Sequence, residues 1–197
     1  MTFRELLQSE YQPWGALSNL QLDQLERHYQ LLEAWNSRLN LTRIRELTEV
    51  VRFNYCESLF VSTVLPKGPL RVCDLGSGAG FPGIPLAVAR PDLEVALIES
   101  DQRKAVFLRE ASRGVPNIRV AAKRAEDVEE TFDWAISRAV GYEDLAPFLK
   151  RMAGSVDLLG GMERPGDSLG FEFGEATPLP WGRQRFLWEG HRKVQGA

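Results

Sequence analysis

The residues with the clearest chemical promise lie in one stretch, VCDLGSGAGFPGIPLA, which runs from Val72 to Ala87. It holds an apolar run, an aspartate, three glycines at alternate positions, and a second apolar run broken by two prolines. Glycines at the end of a strand let the backbone come close to a ligand and take torsion angles closed to other residues. Two kinds of ligand use such a turn. Gly78, Gly80 and Gly83 fit the dinucleotide spacing G-x-G-x-x-G, while Asp74, Gly76, Gly78 and Gly80 fit D-x-G-x-G-x-G. The apolar run stops at Leu75, so the turn starts at Gly76, where the dinucleotide spacing would begin too late. A carboxylate at Asp74 repels a pyrophosphate but can organise a turn around a cationic ligand. S-adenosylmethionine (SAM) carries a sulfonium and an ammonium and no phosphate, and it suits this turn.

Further groups fall in step with it. Glu99 closes the next strand, EVALIES, at the place where an acid accepts both ribose hydroxyls of a bound nucleoside. After the third strand, KRAEDV puts Ala125 and Glu126 where they would meet an adenine edge. The acid–base inventory is otherwise sparse. His28 on a helix and His191 near the C-terminus are expected at the surface, and no nucleophile–base pair or metal-ligand spacing stands out.

The elements that must position these residues follow from periodicity. Leu22, Leu25, Tyr29, Leu32, Trp35 and Leu39 form one apolar helical stripe, and Ser18 with Gln21 is a capping-box start. A second helix is expected from Glu46 to about Val64, stopping before Pro66. From Pro69 the pattern alternates. LRVCDL, EVALIES, NIRVAA, FDWAIS and SVDLLG read as strands. Helices lie after the glycine turn (ended by Pro91), from Lys104 to about Arg113, and from Glu143 to about Met152. Such alternation predicts an α/β fold, a mostly parallel sheet with helices on both faces. FEFGEATPL and RQRFLWEG would add two antiparallel strands, and GGMERPGDSLG, just before them, reads as a loose surface loop.

Bulk properties set the bounds. The chain has 197 residues, 44% hydrophobic and 26% charged, with a net charge of −3. That suits one globular unit, residues 1–197, with a helical N-terminal extension (1–66) on a core (67–197). No stretch reaches the roughly 18 continuous apolar residues of a membrane span. MTFRELLQSE lacks the apolar core of a signal peptide, and Cys56 and Cys73 are too few for a disulfide scaffold. A cytoplasmic protein without membrane attachment is the expectation.

WNSRLNLT, DLGSGAGFPGIPLA, RAED and ISRAV, in this order, together resemble the bacterial ribosomal RNA small subunit methyltransferase G family, also called glucose-inhibited division protein B. The element G-x-G-x-x-x-P-G-x-P-L, Gly76 to Leu86, carries the resemblance, because its two prolines are uncommon among SAM enzymes. The resemblance implies a class I, Rossmann-like SAM domain with N-terminal helices packed on it. It implies methylation of one guanine at N7 in 16S rRNA of the small ribosomal subunit; a monomer is the expected state. SAM contacts would fall on Gly76, Phe81, Ala125, Glu126 and Arg138. Arg138 would point into the site to hold the cofactor carboxylate, a phosphate or the target base. Guanine N7 has a free lone pair, so transfer needs alignment and not a base, in keeping with the sparse acid–base inventory. RNA phosphates would meet Arg43, Arg45 and Arg52, Lys123 and Arg124, Lys150 and Arg151, or Arg183, Arg185, Arg192 and Lys193. The chain departs from the family pattern H-I-L-D-S at Asn54 and Glu57, and from L-K-G at Gly160, positions expected to face RNA. Two rival readings are a SAM-binding RNA module without transfer, and transfer to another RNA or a small molecule.

Overall fold

Strands β1 (Arg71–Leu75), β2 (Glu94–Ile98), β3 (Ile118–Ala121), β4 (Phe132–Arg138) and β5 (Ala153–Gly160) pair in parallel; the central residues of β1, β2, β4 and β5 are buried on both faces, while β3, at the sheet edge, is only partly buried. Burial on both faces explains why the four central segments read as mostly apolar runs in place of alternating ones. The structure is a computed structural model that describes residues 1–193; the last four positions of the expected unit lie outside the described residues. The sheet order is β3-β2-β1-β4-β5-β8-β6, where β6 is Phe171–Phe173 and β8 is Phe186–Arg192; β7 (Thr177–Pro178) also pairs with β8. The tail strands are antiparallel, as expected. The chain winds outward from β1 to β3, then returns to lay β4 on the other side of β1. The strand order therefore reverses between β1 and β4, the place where α/β sheets bind ligands.

Helices cover both faces. Helix α1 (Phe3–Tyr11) starts at a capping box formed by Thr2 and Glu5. Helix α2 (Asn19–Leu39) starts at the expected Ser18–Gln21 box and buries Leu22, Leu25 and Leu32. Each such leucine contributes about 1.5–3 kcal/mol. Helices α1 and α2 share one apolar cluster with β1, β2 and β4, so residues 1–66 complete the core of that face. Helices α5 (Gly83–Ala89) and α6 (Gln102–Ala111) follow β1 and β2, and Asp101 caps α6 through the Arg103 and Lys104 amides. Helix α7 (Tyr142–Met152) lies in the cluster on the opposite face. The expected loose loop is anchored: it holds a 3₁₀ turn (Asp167–Leu169) whose Leu169 is fully buried.

The second expected helix is present but not uniform. A short α3 (Leu47–Glu49) runs into a π-helical segment (Val50–Cys56) and then into α4 (Glu57–Val64). In an α-helix the Glu57 amide would bond the Phe53 carbonyl; here it bonds Arg52 O. The wider turn leaves the Phe53 carbonyl to find another donor.

Candidate active site

The ends of β1, β2 and β4 lie side by side, with Leu75 in register with Ile98 on one side and Ser137 on the other. Ser137 Oγ donates to Leu75 O at 2.9 Å, and the Gly76 and Ser77 amides both donate to Ile98 O. The glycine turn thus leaves β1 pinned on both sides. Gly76 and Gly78 have φ of +72° and +53°, in the region that favours glycine. Asp74 is fully buried behind the turn, where one carboxyl oxygen accepts from the Gly83 amide at 3.0 Å. Burial raises its pKa to about 7, against the lowering effect of that bond. Asp74 organises the turn, as expected, but from behind it. Gly80 likewise faces inward: a Cβ there would sit 2.5 Å from Ile84. Glu99 spans the turn from β2. One oxygen accepts from the Gly78 amide at 2.9 Å and the other from the Asp101 amide at 2.8 Å.

Two chambers meet at Gly76. One, of about 190 Å³, is bordered by Ile98, Ser100, Ala125, Glu126, Val140 and Asp144. The other, of about 500 Å³, is bordered by Gly78, Phe81, Asn54, Arg138 and the segment from Leu41 to Ile44. Of the expected site residues, the fold brings Gly76, Gly78, Phe81, Ala125, Glu126 and Arg138 to these walls, and places Asp74, Gly80 and Glu99 as supports of the turn. The Ala125–Asp127 3₁₀ turn is held from below. Arg151 donates to Val128 O at 2.6 Å, to Ala125 O at 3.2 Å and to Glu126 O at 3.1 Å.

Arg138 supplies the donor that the π segment lacks. Its Nη1 donates to Phe53 O at 2.6 Å and its Nη2 to Asn54 Oδ1 at 3.1 Å. Burial brings its pKa down to about 10, with Glu57 opposing and Arg185 adding to the fall, so it remains charged at neutral pH. Glu57, fully buried, takes both arms of the Arg185 guanidinium, whose carbon lies 5.0 Å from the Phe53 ring centroid. The tail of the chain thus clasps the π segment that holds Arg138.

His28 is a correction to the sequence reading. It is fully buried, not at the surface, with Nε2 2.9 Å from Ala79 O and Nδ1 3.0 Å from the Tyr55 hydroxyl. Ala79 O can only accept, so Nε2 carries the proton and Nδ1 accepts from Tyr55. His28 links α2 and the π segment to the glycine turn. Its spacing was the available signal: it lies three residues past Leu25 and four before Leu32, on the buried stripe. Burial lowers its pKa from 6.5 to about 4. Between those values the unfolded chain holds a proton that the fold does not. The stability His28 contributes is therefore complete above pH 6.5 and is lost as pH falls towards 4, at up to about 1.4 kcal/mol per unit. Urea denaturation of wild type and His28→Asn at pH 4.5, 5.5 and 7.5 is expected to show this slope in their difference; a difference independent of pH would contradict it.

The family model for rRNA small subunit methyltransferase G (GidB) matches residues 21–155, more than half of the chain. The chain belongs to this family. The Ribosomal RNA small subunit methyltransferase G of Chromobacterium violaceum is 41% identical over 138 residues, and that of Xanthomonas campestris pv. campestris 42% over 149. These matches cover 68% and 74% of this chain and 65% of each relative's length. Among solved structures, a SAM dependent methyltransferase from Aquifex aeolicus superposes with a TM-score of 0.61 at 15% identity, covering 77% of this chain and 96% of its own. The fold is that of the class I SAM-dependent methyltransferases.

The three positions expected to face RNA, Asn54, Glu57 and Gly160, fall in different settings. Asn54 lines the larger chamber. Glu57 does not face outward as expected; its carboxylate is consumed inside the fold by Arg185. Gly160 ends β5, where a Cβ would approach the Tyr142 hydroxyl to 3.0 Å. Several expected RNA-facing cations are likewise engaged. Arg52 pairs with Glu10, Arg151 holds the 3₁₀ turn, Arg192 donates to Ala153 O and Lys193 pairs with Asp167. Arg43, Arg45 and Lys123 are exposed and have no ion-pair partner among the described residues. Both cysteines are buried, and burial pushes their thiols up, away from the reactive thiolate. Among the described residues no helix is long and apolar enough to cross a membrane.

Proposed function

We propose that this chain transfers a methyl group from SAM to the N7 atom of a guanine in 16S rRNA, acting as a single copy on the small ribosomal subunit in the cytoplasm. The observation that carries the reading is the cleft at the switch point, two chambers joined at Gly76 and walled by unlike groups. The smaller chamber, with Ala125 and Glu126 on its wall, suits an adenine edge. The larger one, with Arg138 and Arg43, suits the carboxylate of the methionine part and an incoming nucleotide. The carboxyl of Asp74 behind the turn, with Glu99 across it and Glu126 on the wall, disfavours a pyrophosphate. The residues present therefore fit SAM. The family's name and its relatives support rRNA as the acceptor.

When bound, SAM supplies an electrophilic methyl on sulfur. The chain's own work is alignment. The glycine turn, tied to Ile98 and Glu99, lets a ligand lie against bare backbone. Phe81, 8% exposed and packed on His28 and Tyr55, gives the larger chamber an apolar wall that excludes water. Arg138 is fixed by two hydrogen bonds before any ligand arrives, so little ordering remains to be done on binding. Guanine N7 presents a lone pair and loses no proton, so no general base is called for; positioning and desolvation carry the rate.

Glu99→Ala frees the Gly78 and Asp101 amides and removes the expected ribose acceptor. It is expected to weaken SAM binding by roughly 1–3 kcal/mol, the range for hydrogen bonds to a charged group. Calorimetry checks this, and an unchanged dissociation constant in a folded variant would contradict it. The proposed function itself is tested by mass mapping of 16S rRNA from a deletion strain and its parent. One 7-methylguanosine should vanish with the gene; an identical methylation map would refute the proposal.

A further inference from the structure

Asn54 lies on the π segment, lines the larger chamber and is only 3% exposed. Its two amide atoms are in opposite situations. The oxygen accepts from Arg138 Nη2, while Nδ2 is buried and has no hydrogen-bond partner among the described residues. Their assignment follows from chemistry: a guanidinium only donates, so the atom facing Arg138 must be the oxygen. Arg138 thereby fixes the amide and leaves a neutral, directed N–H donor unspent. A buried donor without an acceptor costs about 1–3 kcal/mol, so its retention calls for an explanation.

We infer that the Asn54 amide is a specificity-determining donor for the target base, giving its N–H to the carbonyl oxygen O6 beside the reacting N7 of guanine. The inference rests on the methyltransferase reading above. Guanine presents two acceptors on that edge, N7 and O6, whereas adenine presents N7 and an amino donor. A fixed donor meets O6 with a hydrogen bond and meets an adenine amino group with an unpaired donor on each side. Loss of such a bond discriminates more strongly than an apolar mismatch does. The cofactor carboxylate is the other acceptor within the chamber's chemistry. It carries a charge, however, and Arg138 and Arg43 on the same walls match it better than a neutral amide does.

Asn54→Asp tests the inference. It keeps an oxygen acceptor for Arg138 and replaces the donor with a second acceptor, so a role confined to holding Arg138 would survive it. Its charge lies in the chamber proposed to hold the cofactor carboxylate, so Asn54→Ala, which removes the donor without adding a charge, is read beside it. SAM affinity of the alanine variant by calorimetry should stay within about threefold of wild type, and kcat/KM for methylation of small subunits at saturating SAM should fall by 10-fold or more in both variants, the loss of one good base contact. Methylation at the wild-type rate by either folded variant would overturn the inference. So would a tenfold loss of SAM affinity in the alanine variant with an unchanged rate at saturation, which would assign the donor to the cofactor carboxylate. Wild-type protein that labels no guanine would overturn the methyltransferase reading and this inference with it, an outcome distinct from active wild type and active variants.

Discussion

Gly78→Val is expected to abolish SAM binding in a chain that still folds. Gly78 has a φ of +53°, and a Cβ built on it meets nothing nearer than Gly76 O at 3.7 Å. The valine methyls therefore enter the larger chamber, which Gly78 lines, and do not strike the core. The backbone strain of a branched residue in the left-handed region costs about 1–2 kcal/mol, a fall in Tm of only a few degrees for a domain of this size. Occupation of the ligand's path should weaken SAM by more than 100-fold, or about 2.7 kcal/mol. Gly80→Val is the control. There the added atoms would meet Ile84 at 2.5 Å and Leu108 at 3.3 Å, so the damage should appear first in stability. Calorimetry and thermal melts of both variants separate the two cases. A Gly78→Val chain that binds SAM as wild type does would place the ligand elsewhere.

Arg138→Ala is expected to reduce methylation of small subunits by at least 100-fold. The substitution removes a cation from the larger chamber and leaves Phe53 O and Asn54 Oδ1 without the donors that now satisfy them. Each abandoned acceptor costs about 1–3 kcal/mol. The π segment has no amide to offer Phe53 O in exchange, because the Glu57 amide is spent on Arg52 O. Arg138→Lys keeps the charge but not the two-armed geometry, and should fall between wild type and alanine. Steady-state kcat/KM with tritiated SAM reads both variants. A folded alanine variant with more than half of the wild-type rate would remove Arg138 from the site.

The strand–helix alternation was legible because parallel strands buried on both faces write continuous apolar runs, and the turn was legible because Gly76 and Gly78 need φ values that only glycine takes readily. The end-of-strand positions of Glu99 and Arg138 followed from the sheet. What stayed hidden depends on contacts between distant segments. The π segment has the composition of an ordinary helix, and the carbonyl it releases is noticed only once Arg138 is seen filling it. Glu57 read as an outward-facing acid because its partner, Arg185, lies in the tail. Arg151 looked like an RNA-binding cation, whereas its guanidinium is spent beneath Ala125 and Glu126. His28 differs: its place three residues past Leu25 and four before Leu32 is legible in the sequence, but the polar partners that let it be buried, Ala79 O and the Tyr55 hydroxyl, come from distant segments.

Methyl transfer to guanine N7 can be read directly from the labelled nucleoside. Purified protein is incubated with methyl-labelled SAM and small ribosomal subunits from a strain lacking the gene, and the rRNA is digested to nucleosides and separated. The label should appear as 7-methylguanosine, at one site per subunit, and subunits from the parent strain should accept none. Label in any other nucleoside, or no label in a preparation that binds SAM, would contradict it.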